Sequence, residues 1–138
     1  MSLQSADAEA AAVATAPRVA LADIEAAIGG VYYTTGYEAA IGDGQRTISR
    51  EHWEPLGILT ICLVVMRNGF TIVGKSAPAS PANFNADLGR RLAYEDAVRQ
   101  LWPLMGFALR DRLHRDSEDT RIFETAAAAR AAGPKVKY

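Results

Sequence analysis

The chain of 138 residues carries 15 Lys+Arg against 16 Asp+Glu, a formal net charge of −1, and is 49% hydrophobic, which points to one domain with a real core. That charge balance argues against a protein that coats nucleic acid through bulk charge. The longest apolar run, from Ile58 to Met66, is about half the ~18 residues that a membrane-crossing helix requires.

A single cysteine, Cys62, rules out an internal disulfide framework and fits a reducing cytoplasm. The N-terminus shows no basic stretch followed by an apolar one, so no signal peptide is read there. Residues 1–16 are alanine and small polar residues with only Leu3 and Val13 as larger apolar ones, and read as a mobile Ala-rich arm. Residues 124–138 repeat that style and end in Lys135, Val136, Lys137 and Tyr138, a flexible basic tail. A single domain is then expected over 17–123.

Pro17 opens a short helix to Ile28, with Leu21, Ile24 and Ile28 on one stripe and Asp23 and Glu25 near its positive end. Gly29 and Gly30 are expected to stop it. Val31–Thr35 has strand propensity, while Gly36, Gly42 and Gly44 mark a loop. Leu59–Met66 is apolar on both faces, as a central strand would be. Asn68-Gly69 then predicts a type I′ turn, with Phe70–Ser76 as the return strand.

Ser80-Pro81 reads as the N-cap and first residue of a long helix carrying Phe84, Leu88, Leu92, Val98, Leu101 and Trp102. Pro103 is expected to kink or restart it, and the second piece runs to about His114 with Leu104, Phe107, Ala108 and Leu109 inward. The expected fold is α+β: a short N-terminal helix, a β-hairpin or small antiparallel sheet, and a long broken C-terminal helix.

Little in the chain has the spacing of catalytic or metal chemistry. His52 and His114 are far apart and a lone cysteine adds no zinc-ligand pattern, so no metal is expected. Cys62 sits mid-strand, where a thiol is ordinarily inert. Gly69–Ser76 satisfies the P-loop expression G-x-x-x-x-G-K-S letter for letter. A phosphate cradle needs a loop within that motif and a helix starting at its Lys-Ser. Strong β-formers fill the motif here and Pro78 and Pro81 follow, so it reads as part of the hairpin. No cofactor is expected, and the chain is read as a binding protein rather than an enzyme.

Arginine outnumbers lysine, and Arg90, Arg91, Arg99, Arg110, Arg112 and Arg115 lie on the long helix. They either pair with Asp87, Glu95, Asp96, Asp111 and Asp116 along solvated faces or contribute to an anion pocket. Arg112 and Arg99 are the first candidates for a pocket. Phe70, beside an exposed turn, is either core or a stacking platform for a flat ligand. Ser80 and Asn83 cap the long helix and stand near N–H groups that suit an anion.

Several motifs then come together: Arg67-Asn68-Gly69-Phe70, Gly74-Lys75-Ser76-Ala77, Pro81-Ala82-Asn83-Phe84, Gly89, Ala93, Ala97 and Leu101-Trp102-Pro103-Leu104. In order and spacing they resemble an uncharacterised family of small tailed-phage proteins with an Asn-Gly-Phe motif, over roughly residues 17–113. Where that family tends to show Glu-Gly-Tyr, this chain has Met105-Gly106-Phe107.

The family pattern is in turn similar to the phage anti-Thoeris proteins. These are oligomeric sponges for a cyclic ADP-ribose signal made by a bacterial TIR enzyme, and some of them bind cyclic trinucleotides. That resemblance implies a non-enzymatic anti-defence sponge in the host cytoplasm. It also implies a homo-oligomer, a cyclic-nucleotide-type ligand, and no membrane or nucleic-acid partner. It places ligand-binding residues at Phe70, Ser80 and Arg112 and puts Asp96 where the sponges carry an arginine, which leaves Arg99 or a neighbouring subunit's arginine to substitute there. The alternative is a phage protein that binds a host macromolecule directly, as an enzyme inhibitor or accessory factor, through the Ala-rich arm and basic tail.

Overall fold

A computed structural model of the chain describes residues 2–42, 44 and 47–133. Helix α1 (Leu3–Val13) starts where Ser2 Oγ accepts from Ser5 N at 3.0 Å. The arm expected at 1–16 is therefore mostly helix, and Leu3 is buried in the common core. Asp7 ties the helix down by accepting from Arg18 Nη1 at 2.8 Å and from Leu21 N at 3.1 Å. These partners are 11 and 14 residues away in sequence, beyond the reach of local pattern.

Helix α2 (Leu21–Ala27) begins four residues later than expected. Asp23 Oδ2 accepts from Ala20 N at 2.8 Å, half of a capping box, and Leu21 and Ile24 are buried. Gly29 and Gly30 do not stop this helix; they lie inside strand β1 (Ile28–Thr35), where the register shifts between Ile28 and Gly30. A Cβ on Gly29 would stand 3.1 Å from the Val65 carbonyl oxygen. The glycine-marked loop that follows contains two short helices, α3 (Gly36–Gly42) and α4 (Arg50–Gly57), with glycine at their ends rather than within them.

Strands β2 (Thr60–Met66) and β3 (Thr71–Ser76) complete an antiparallel sheet in the order β1-β2-β3. The expected hairpin is present, but its turn is not type I′. No residue other than glycine has a positive φ among the described residues, so Asn68 does not, and within this turn only Gly69 does, at φ 89. Gly69 N donates to Met66 O at 2.9 Å and Met66 N to Phe70 O at 2.8 Å, a three-residue loop with its left-handed residue at glycine. The P-loop look-alike is this turn plus β3.

One sheet face carries Tyr33, Cys62 and Gly74 in one row and Val31, Val64 and Ile72 in the next. Cys62, Val64 and Ile72 are buried there. The opposite face carries the row Tyr32, Leu63 and Val73, all exposed. So β2 is central, as its apolar run implies, yet covered on one side only.

That cover is α5 (Ala86–Ala131). Ser80-Pro81 starts only a short 3-10 turn (Pro81–Asn83); α5 is capped by Asn85, whose Oδ1 accepts from Leu88 N at 3.0 Å. The break expected at Pro103 does not occur, since the helix runs through it and on across 124–131. Pro103 lacks the N–H that would reach Arg99, but both residues lie on the exposed side, where the carbonyl left without a partner is open to solvent. The basic end, 134–138, lies outside the described residues.

The helix sits on the sheet through small residues one turn apart: Gly89, Ala93 and Ala97, followed by Leu101, all buried. A Cβ on Gly74 would lie 2.0 Å from the Ala93 carbonyl oxygen and 2.9 Å from the Ala97 Cβ. One on Gly89 would lie 2.6 Å from Thr60 Oγ1. Ile24, Val98 and Leu101 fill the rest of the core.

Two outcomes are expected. Gly74→Ala costs about 3 kcal/mol or more in chemical denaturation, because backbone must move. Gly106→Ala, which meets nothing within 4 Å, instead stabilises by roughly 0.5–1 kcal/mol. Separately, the hydrogen bond from Arg18, then that from Leu21 N–H, holds the Asp7 carboxyl below the usual carboxylate range. A depressed folded value means stabilisation that is present above the unfolded value of about 3.9 and lost as pH falls through the folded one. The Tm gap between wild type and Asp7→Ala is therefore expected at pH 7 and shrinks below pH about 4.

Candidate functional site

The hairpin tip is fastened to α2 by Arg67. Its Nε donates to Ala26 O at 2.6 Å and its backbone N to Ala27 O at 2.9 Å, so a cation sits where α2 exposes its last carbonyls. Asn68 Oδ1 accepts from Phe70 N at 3.0 Å and holds the next residue's backbone. Between this tip and α5 runs a groove of about 540 Å³. Met66, Leu101, Leu104, Met105 and Ala108 form its apolar wall, with Arg67 and Asn68 at the rim. Phe70 lines it and remains 54% exposed, so it is not a core residue.

Arg112 follows Ala108 by one helical turn, so it lies just past the groove on the same side of α5. It has no ion-pair partner among the described residues. Arg99 is elsewhere. Nine residues before Ala108 is half a turn out of phase, and its Nη2 pairs with Glu95 Oε2 at 3.5 Å. Arg90, Arg91 and Arg115 pair with Asp87, Glu95 and Asp111, as solvated helix faces do.

Ser80 and Asn83 stand at the other end of the sheet. Strand β3 carries the chain about 20 Å away from Phe70 before the 3-10 turn. That end holds only a small cavity lined by Tyr33, Thr60, Phe84 and Arg90 among others. Within one chain, then, the structure brings Phe70 and Arg112 to the same middle stretch of α5 and leaves Ser80, Asn83 and Arg99 out of the groove.

Asp96 is occupied with the sheet. Its Oδ2 accepts from Lys75 N at 3.0 Å and from Gln100 Nε2 at 3.3 Å, and the same Gln100 Nε2 donates to Val73 O at 2.8 Å. Together they satisfy two outward backbone groups of β3, Lys75 N–H and the Val73 carbonyl, on an edge otherwise open to pairing. Cys62 is fully buried, and burial pushes its thiol up, only partly offset by a hydrogen bond with Tyr33. A thiol in that state is a poor nucleophile at neutral pH.

Sequence reasoning missed Arg67 as the rivet of the tip and missed the groove wall from Met66 and Leu104 to Ala108. The available signal was the arginine preceding Asn68-Gly69, but its carbonyl partner is 41 residues away. The edge closure generates its own expectation. Asp96→Ala costs about 1–2 kcal/mol by denaturation and raises light scattering on standing, since it frees the Lys75 N–H on an exposed edge.

No helix among the described residues is long and apolar enough to cross a membrane. Neither the curated proteins nor the solved structures contain a match to this chain. A family model does match, over residues 19–113, which takes in α2, the sheet, the groove and α5 as far as Leu113. The chain therefore belongs to the phage protein (N4 Gp49/phage Sf6 gene 66) family.

Proposed function

We propose that this phage protein binds and sequesters a nucleotide-type immune signal, a cyclic ADP-ribose isomer or a cyclic oligonucleotide, and releases it unaltered. Such a sponge is not an enzyme and acts in the host cytoplasm. The observation that carries the reading is Phe70, half exposed at the mouth of an apolar groove with Arg67 and Asn68 on its rim. A base stacks on such a ring, and the groove's volume lies in the range of small-molecule sites. Arg67 uses Nε on Ala26, while Arg112 projects beyond the groove, so guanidinium donors stand on two sides for phosphate. The resemblance to anti-Thoeris sponges supports the same pair, Phe70 and Arg112.

The test is to incubate the purified protein with a panel of cyclic nucleotides and cyclic ADP-ribose isomers, filter it, and assay the filtrate before and after heating the retained protein. A compound that disappears and returns intact is expected. Phe70→Ala and Arg112→Ala should each weaken binding at least about tenfold, or 1.4 kcal/mol, while Arg99→Ala leaves it unchanged. A compound that returns altered makes the protein an enzyme and overturns the reading.

The uncovered sheet face with Tyr32, Leu63 and Val73 favours a second reading, direct binding of a host macromolecule. That reading takes over if nothing in the panel is depleted.

A further inference from the structure

The two edges of the sheet differ. In the β2–β3 ladder Met66 N donates to Phe70 O at 2.8 Å, so Ile72, Gly74 and Ser76 turn their backbone groups to β2 and Thr71, Val73 and Lys75 turn theirs outward. Side chains of α5 guard that edge: Gln100 Nε2 donates to the Val73 carbonyl and Asp96 Oδ2 accepts from the Lys75 N–H. At the other edge Gly36 N donates to Leu59 O at 2.9 Å, which sets the alternation of β1. Gly30, Tyr32 and Thr34 turn to β2, and Val31 and Tyr33 turn their N–H and carbonyl outward.

Among the described residues no hydrogen bond reaches those outward groups of Val31 and Tyr33. Strand β1 also has neither a charged residue nor a proline, the residues that commonly blunt an edge. Helix α5 lies over β3 and β2, so β1 stands at the margin of its cover. Tyr33, on the helix side, is 40% exposed, and Tyr32, on the opposite face, 61%.

We infer that β1 pairs antiparallel with β1 of a second copy of this chain, about a two-fold axis at Tyr32, so that the two sheets become one. In that register Val31 exchanges both backbone bonds with the partner's Tyr33, and Tyr33 with the partner's Val31. An axis at Val31 would draw in Gly29, at the register irregularity. An axis at Tyr33 would draw in Thr35, whose carbonyl already accepts from Thr34 Oγ1 at 3.3 Å. Any extended strand could bond the backbone; the opposed side chains select this chain's own. On the helix side Val31 stands opposite the partner's Tyr33, and on the other face Tyr32 stands opposite the partner's Tyr32, β-branched on aromatic and aromatic on aromatic. An uncharged strand brings no repulsion to its own copy. The contact is two-fold and uses the open edge of both copies, so it closes at a dimer. It stands whether or not the groove takes a nucleotide.

Sedimentation equilibrium and backbone amide exchange of the full chain over a concentration series test it. Wild type is expected to reach dimer mass, and the Val31 and Tyr33 amides to become protected as the dimer forms, since in a monomer both face outward. Tyr32→Lys sets lysine opposite lysine and should raise the dimer Kd at least about tenfold. Tyr32→Glu should do the same, and mixing the two variants should restore association, because only a seam centred on position 32 sets these residues against each other. Val73→Lys, in the same row of the same face but on the guarded edge, should leave the Kd within about twofold. A wild type that stays monomeric, a dimer whose Val31 and Tyr33 amides exchange freely, or a Kd untouched by Tyr32→Lys overturns the proposal.

Discussion

The fold depends on one contact, the seating of α5 on the sheet with no side chain between helix backbone and Gly74. A Cβ there would overlap the Ala93 carbonyl oxygen. The approach brings Gly89, Ala93 and Ala97 against β2 and β3, and it sets the distance at which Val64, Val98 and Leu101 close the core. It also places Asp96 and Gln100 within hydrogen-bond reach of the outer backbone groups of β3. Helix and sheet edge are thus fixed by the same few residues. Within the motif that imitates a nucleotide-binding loop, Gly74 is there for packing.

The groove inherits its shape from that seating. Once Gly74 sets the height of α5, Leu101, Leu104 and Ala108 fall alongside the hairpin tip, and Arg67 fixes the tip against α2. Phe70 shares the groove with Met66 and Leu101, and its ring stays half exposed there.

Much of this was legible in the chain itself, wherever a pattern was local. Leu21 and Ile24 marked α2, the apolar run and Asn68-Gly69 marked the hairpin, and the repeat from Leu88 marked α5. What was hidden rests on partners distant in sequence. Helix α1 is anchored by a carboxylate that reaches Leu21 N, and Arg67 by a carbonyl at Ala26. Glycine misled in two directions: Gly29 and Gly30 sit within a strand, and Gly36 and Gly42 bound a helix. At the candidate site, the structure puts Phe70 and Arg112 beside the same middle stretch of α5. Ser80 and Asn83 did not join them, because nothing in the spacing reveals which end of a hairpin a later loop returns to.

Helix α5 is held over its first turns and unsupported over its last. It is therefore a lever whose fulcrum lies between Leu101 and Ala108, at the groove wall. From Leu101 to its end is roughly 45 Å, so a tilt of about 5° at the fulcrum swings the far end by roughly 4 Å. Any displacement at the groove wall is magnified at the tip.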